Sequence, residues 1–226
     1  MSPLAQSCLA ANSWICGEYV SSRQEELTTA LLEHVTLTIV SVVGGFLLAF
    51  PLALIARGYR RTQGPVLGAT TAIYTVPSLA MFSLLVPFTG ISPTTVVIGL
   101  MLYSLVILIR NIITGLDGVP DDVKESARGM GYGPARLLFA VELPLALPTI
   151  MAGVRVATVS TVALVTIGAI VDNGGLGNLI YEGLGSVFKA QVLTASVLCV
   201  LLAIAFDLLL LGTQRAMTPW QRGVAA

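Results

Sequence analysis

Residues 117–148 read DGVPDDVKESARGMGYGPARLLFAVELPLALP, and the rest of the chain is organised around them. They form the longest break between apolar segments that still has the pattern of ordered structure. Four of the first nine residues are acidic (Asp117, Asp121, Asp122, Glu125), and Pro120, Gly129, Gly131, Gly133 and Pro134 punctuate the run. The pattern predicts two short helices. Pro120, Asp121 and Asp122 give a start signal with negative charge in the first turn, where the helix dipole favours it. Val123, Ala127 and Met130 then fall at i, i+4 and i+7 as one apolar stripe. The glycines let the backbone turn without a Cβ penalty. A second helix begins at Pro134, with Leu137, Leu138 and Val141 on one side, until Pro144 interferes. Such a helix–turn–helix, laid across a membrane face, either closes a bundle or docks a soluble partner.

Composition supplies the membrane. The chain has 226 residues, of which 55% are apolar and only 11% charged, with a mean hydropathy of +0.88. Soluble domains average about 25% charged residues, so a water-exposed globule is excluded. Formal net charge is zero, which leaves no basic field for nucleic acid. Cys8, Cys16 and Cys199 have no metal-site spacing, and Cys199 lies in an apolar run where packing explains it.

A spanning helix needs ~20 mostly apolar residues to cross ~30 Å of hydrocarbon. Five segments meet this: 35–56, 66–86, 94–113, 145–171 and 190–211. Gly44 and Gly45 permit close helix contact in the first, where Pro51 predicts a kink. Pro77 interrupts the second. Freed backbone groups inside a membrane must be satisfied by neighbours, so Pro51 and Pro77 are expected to face other helices.

Positive charge sets the orientation. Arg57, Arg60 and Arg61 follow the first span, Arg110, Lys124, Arg128 and Arg136 the third, and Arg215 and Arg222 the fifth. The opposite side carries only Arg23 and Lys189. The positive-inside rule therefore puts the amino terminus outside, and the 117–148 loop and the carboxyl terminus in the cytoplasm. The expected organisation is an extracytoplasmic segment 1–34, a transmembrane domain 35–211 with a cytoplasmic loop 114–144, and a cytoplasmic tail 212–226.

Two ionisable residues lie within spans. Arg155 is ten residues into the fourth, roughly 15 Å along a helix, and Asp207 is near the cytoplasmic end of the fifth. Charges in lipid usually face the bundle interior or an opposite charge. Either the two form an ion pair or each snorkels separately to the interface.

The first 32 residues read as polar and irregular, without the charged and apolar regions of a cleaved signal peptide. Ala5-Gln6-Ser7 before Cys8 makes a poor lipidation site, since no apolar run precedes it. Cys8 and Cys16 either form a disulfide, if this end is extracytoplasmic, or stay free. Arg23, Glu25, Glu26 and Glu33 read as a solvated face. His34, the only histidine, sits at the membrane entry and reads as a structural residue rather than a ligand or base. On the same side, after the fourth span, comes DNGGLGNLIYEGL from Asp172 to Leu184. No Lys-Ser/Thr follows these glycines, so they are no phosphate loop. They predict a tight turn into a short interfacial helix over 176–184.

These residues carry a family resemblance. Inner-membrane permeases of bacterial ABC importers have a cytoplasmic signature of EAA, three residues, Gly, nine residues, Ile, one residue, Leu-Pro. This chain has Glu125, Ser126, Ala127, Gly131, Val141, Leu143 and Pro144 at those spacings, with Ser126 for Ala and Val141 for Ile. The chain is most similar to permeases for osmoprotectants such as glycine betaine, choline and carnitine. That likeness rests on TVPSLA at 75–80, Leu108-Ile109-Arg110-Asn111, Val141-Glu142-Leu143-Pro144-Leu145-Ala146, the GGLG run, and the tail Thr213-Gln214-Arg215-Ala216-Met217-Thr218-Pro219. It covers the chain from about residue 30 to the end.

The resemblance implies an all-α integral membrane fold with about five transmembrane helices in the type I importer arrangement, in the bacterial inner membrane. It implies a pathway subunit working with ABC ATPase subunits, a second permease (identical or paralogous) and an extracytoplasmic solute-binding protein. Glu125, Ser126, Ala127, Gly131, Leu143 and Pro144 would couple to the ATPase, with Glu125 pairing a basic group there and Ala127 and Gly131 allowing close approach. Gly174, Gly175, Leu176 and Gly177 would lie near an outer gate. The chain would bind no cofactor or metal and hold no catalytic residue, since ATP and Mg belong to the partner. A permease for another small polar solute, such as an amino acid, is the nearest alternative. An intramembrane enzyme or autonomous channel would need what this sequence lacks: Ser with His, or paired Asp, at depth, or two related halves.

Overall fold

A computed structural model describes residues 7–220. Ala5, Gln6 and Arg222, which entered the lipidation and orientation readings, lie outside the described residues. In chain order the helices are α1 (Gly17–Ser22), α2 (Gln24–Gly58), α3 (Arg60–Thr75), α4 (Ser78–Thr89), α5 (Pro93–Asp117), α6 (Asp121–Gly129) and α7 (Pro134–Leu137). A π turn (Leu138–Glu142) leads into α8 (Leu143–Val165), a 3₁₀ turn (Thr166–Val171), α9 (Leu176–Gly185) and α10 (Lys189–Met217). The described residues include no strand, and the fold is all-α.

Four helical stretches are long and apolar enough to span a membrane: Gln24–Gly58, Pro93–Asp117, Pro134–Val171 and Lys189–Met217. A fifth span exists only if α3 and α4 are counted together. The second predicted span is thus broken. Pro77 adopts φ −57°, ψ 138° and serves as the N-cap of α4, an extended geometry that leaves the preceding helix unable to continue.

The chain divides into two compact units, one of Met1–Ser41, Val76–Leu100 and Ser160–Ala205, the other of Val42–Thr75, Met101–Val159 and Phe206–Ala226. In the second, Ala49, Ala53 and Ala56 form a fully buried stripe at four- and three-residue spacing on α2. They pack in one cluster with Leu108, Ile109, Ile112 and Leu116 of α5 and Ala146, Ile150 and Ala157 of α8. Small residues let backbones approach closely where lipid offers no hydrophobic drive for helix association. Pro51, two positions from both Ala49 and Ala53, is on the opposite side and is exposed in the single chain, as is Pro77. Neither is covered by helices of its own chain.

In the first unit, one core joins Leu37, Phe82, Val96, Leu100, Val165 and Val171. Another joins Cys16, Tyr19, Leu27, Ala30, Leu176, Leu179, Ala190 and Ala195. Residues 16–30 are therefore packed rather than irregular. The first long helix begins at Gln24, 11 residues before the predicted 35, because QEELTTALLE supplies good helix formers with Leu27 and Ala30 on the buried side. His34 is wholly buried, and its Nε2 lies 3.0 Å from the Val162 carbonyl. A carbonyl only accepts, so Nε2 carries the proton. His34 is a helix-to-helix tie.

Candidate functional site

The loop helix α6 starts after Pro120, with Asp121 and Asp122 in its first turn and Arg128 in its last, each complementing the helix dipole. Lys124 and Ala127 are its buried residues, and it packs against α7 and the π turn. Lys124 Nζ reaches back 3.1 Å to Asp121 Oδ1. The expected apolar stripe is split. Ala127 is 2% exposed, whereas Val123 is 38% and Met130 70% exposed. A short helix buries only a narrow line, here Lys124 and Ala127 at i, i+3; Val123 is one position round from it, and Met130 lies past the helix end. Glu125 and Ser126 are exposed. The free face is thus Glu125 and Ser126 beside Val123 and Met130. Ala127 packs inward rather than being offered to a partner.

Gly131 has a task within the chain itself. Its φ is +83°, and no atom lies within 4 Å of where a Cβ would stand. The N–H of Tyr132 donates to the Ala127 carbonyl at 3.1 Å and that of Gly131 to Arg128 at 2.9 Å. This is the Schellman helix stop, with Gly131 in its left-handed position. The backbone, not crowding, demands glycine.

Pro144 does not end the second loop helix as expected. α7 runs through the π turn into α8, where the N–H of Leu143 donates to the Leu138 carbonyl. A proline at 144 lacks the N–H that would bond residue 140 and would crowd that carbonyl; one wide turn removes both conflicts. Leu143 and Pro144 thereby begin α8.

The wide turn aims Glu142 at Arg57. The carboxylate, 7% exposed, accepts from Arg57 Nη1 at 2.7 Å and Nη2 at 3.1 Å. Arg57 Nε also donates to Asp117 Oδ1 at 2.8 Å, and Nη2 to the Leu116 carbonyl at 3.3 Å. In the sequence Arg57 counts only as an orienting charge and Glu142 only as part of the permease likeness. Its signal was a carboxylate set between two apolar motif positions, Val141 and Leu143, where burial requires a partner.

Within the spans, the structure brings Arg155 and Asp207 together in a two-bond fork, Nε to Oδ1 and Nη2 to Oδ2, both 2.8 Å.

In the loop that leads into α9, glycine is required by proximity. At Gly175 (φ +54°) a Cβ would lie 2.8 Å from the Cβ and backbone N of His34. At Gly177 it would collide with the backbone of Thr166. Leu176 is fully buried, and Asn178 Oδ1 accepts from the Gly174 N–H at 2.9 Å. Gly174–Gly177 therefore press the start of α9 onto α2 and the 3₁₀ turn.

Cys8 and Cys16 are joined by a disulfide. The loop it closes carries Asn12, whose Nδ2 donates to the Val187 carbonyl at 2.8 Å and whose Oδ1 accepts from the Lys189 N–H at 3.0 Å. Tyr19 packs edge-on against Phe188 with ring centroids 5.2 Å apart. Burial pushes the Tyr19 phenol above its ordinary pKa, and the Glu26 carboxylate adds to this. The hydrogen bond from Arg23 to Glu26 raises the Arg23 guanidinium further.

Residues 33–223 match the family of binding-protein-dependent transport system inner membrane components, and the chain belongs to that family. It is a multi-pass protein of the bacterial inner membrane and a transport subunit. It is 33% identical over 202 residues to the choline transport system permease protein OpuBB of Bacillus subtilis (strain 168), covering 89% of this chain and 93% of that one. It is 34% identical over 207 residues to the osmoprotectant import permease protein OsmW of Salmonella typhimurium, covering 89% and 96%. Among solved structures it is similar in fold to an inward-facing MetNI methionine ABC transporter, with TM-score 0.79 and 21% identity over 87% of this chain and 98% of that one.

Proposed function

We propose that this permease forms half of the pathway of an ATP-driven importer for a quaternary-amine osmoprotectant such as glycine betaine, choline or carnitine. Relatives that carry those solutes in their names are 30–34% identical along nearly the whole chain, which supports the reading. The amino terminus would lie outside and the 114–144 loop in the cytoplasm, a placement that the distribution of arginines supports. There the exposed face of α6, led by Glu125 and Ser126, would seat in an ATPase subunit that holds ATP and Mg. Closing of two ATPase subunits would draw the two permease loops together and tip the spans outward, a rigid-body transition. A solute-binding protein would deliver the solute from outside.

The observation that carries this reading is the exposed, glycine-terminated α6 inside the full spaced signature. Co-purification tests it. An ATPase subunit should accompany the wild-type chain from its own host and be lost from a still-folded Gly131→Trp variant. A chain that purifies alone in both forms would refute the reading.

A further inference from the structure

Arg57 touches both ends of the loop. Asp117 closes α5 immediately before it, and Glu142 closes the π turn immediately after it, while Arg57 itself is in the last turn of α2. Between those ends, α6 hangs on glycine joints, Gly118 on one side and Gly131 and Gly133 on the other. A push on α6 would be absorbed in such joints unless the loop's two ends were fixed to each other. The Arg57 side chain, 21% exposed, makes that fixture with three directed bonds to two carboxylates. A planar guanidinium forked onto a carboxylate resists rotation in a way a lysine ammonium does not.

We propose that Arg57 is a positioning residue for transport: it clasps Asp117 to Glu142 so that movement of the loop is delivered to α2, α5 and α8 together. This rests on the reading of α6 as the ATPase contact, and it assigns to Arg57 and Glu142 the transmission of the stroke rather than its reception. Asp117, 54% exposed, is the weaker arm.

The test uses the complete importer in liposomes, with its ATPase subunits and binding protein. Arg57→Gln, Glu142→Gln and the double variant are compared with wild type in a Cys199→Ala background. Uptake of radiolabelled choline, glycine betaine and carnitine is measured beside ATP hydrolysis. Spin labels at Ala135→Cys on the loop and Leu47→Cys on α2, both exposed, report whether ATP changes each site. In wild type both labels should respond. In all three variants the Ala135 label should still respond and the Leu47 label should not, and solute moved per ATP should fall roughly fivefold, within the range for residues that carry coupling between sites.

A purely structural role gives another pattern. Neutralising both partners removes the unpaired buried charge, so the double variant should regain the melting temperature lost in the singles. Coupling restored along with it would overturn the proposal. So would a Leu47 label that responds in Arg57→Gln. If the Ala135 label is silent in wild type, the ATPase-contact reading fails first and takes the clasp with it. If wild type moves none of the three solutes but both labels respond, only the substrate reading fails, and the labels alone decide the clasp.

Discussion

Arg155 and Asp207, 52 residues apart in sequence, meet in a two-bond fork between α8 and α10. Each charge offsets the other in a segment where lipid would penalise either alone. Arg155→Gln and Asp207→Asn should therefore each lower the melting temperature in detergent, and the double variant should be closer to wild type than the sum of the singles. Additive losses would show that each side chain is stabilised separately.

Gly131 sits at φ +83° in open space. Forcing an L-residue into that geometry costs about 1–2 kcal/mol, offset in part by the smaller chain entropy of the unfolded state. Gly131→Ala should thus destabilise by about 1 kcal/mol, or about 2–4 °C for a chain of this size. Gly131→Asn should lose less, because asparagine tolerates the left-handed region. Thermal unfolding of the three forms checks the order.

Val187 occupies the same left-handed position at the end of α9, at φ 56° and 68% exposed. Phe188 N–H bonds the Gly183 carbonyl at 2.7 Å and Val187 N–H bonds Leu184 at 3.3 Å, repeating the stop seen at Gly131 with a β-branched residue in the glycine place. Val187→Gly should be neutral or stabilising by up to about 1 kcal/mol. Asn12→Ala removes both clamps on that turn and should cost about 1 kcal/mol, visible as faster amide exchange at 186–189.

Gly177→Ala would drive a Cβ into the Thr166 backbone. Backbone cannot rotate away as a side chain can, so the cost should be about 1–3 kcal/mol. Gly185→Ala, with nothing within 4 Å and an ordinary φ, is the matched control and should unfold near the wild-type temperature.

Apolar runs and motif spacing located four of the spans and the loop helix early, because span length and loop chemistry are local properties. The Leu176–Gly185 helix was legible from the glycines before it, and α6 from Pro120 and its two aspartates. What escaped was set by distant partners. Glu142 reads as one more loop residue until Arg57 is folded against it. Pro144 reads as a stop until the backbone takes a wide turn. The amino-terminal segment has no long apolar run, so nothing in its pattern announces that Tyr19 and Leu27 are core. Ala127 and Gly131 were picked out by spacing, yet one is buried and the other ends a helix, since spacing locates a residue without saying which way it faces.

The π turn at Leu138–Glu142 has a consequence for chain length. A π turn takes up one more residue than an α turn, so the helix before it and the span after it share a common phase. Deleting a single residue there would close it to an ordinary turn and put Pro144 back against the carbonyl four residues before it, with the span itself unchanged. Everything before it would then be kinked away from the span. The wide turn is the slack that lets the loop helix run into a proline-led span, and the protein's tolerance for length change should be lowest at those five residues.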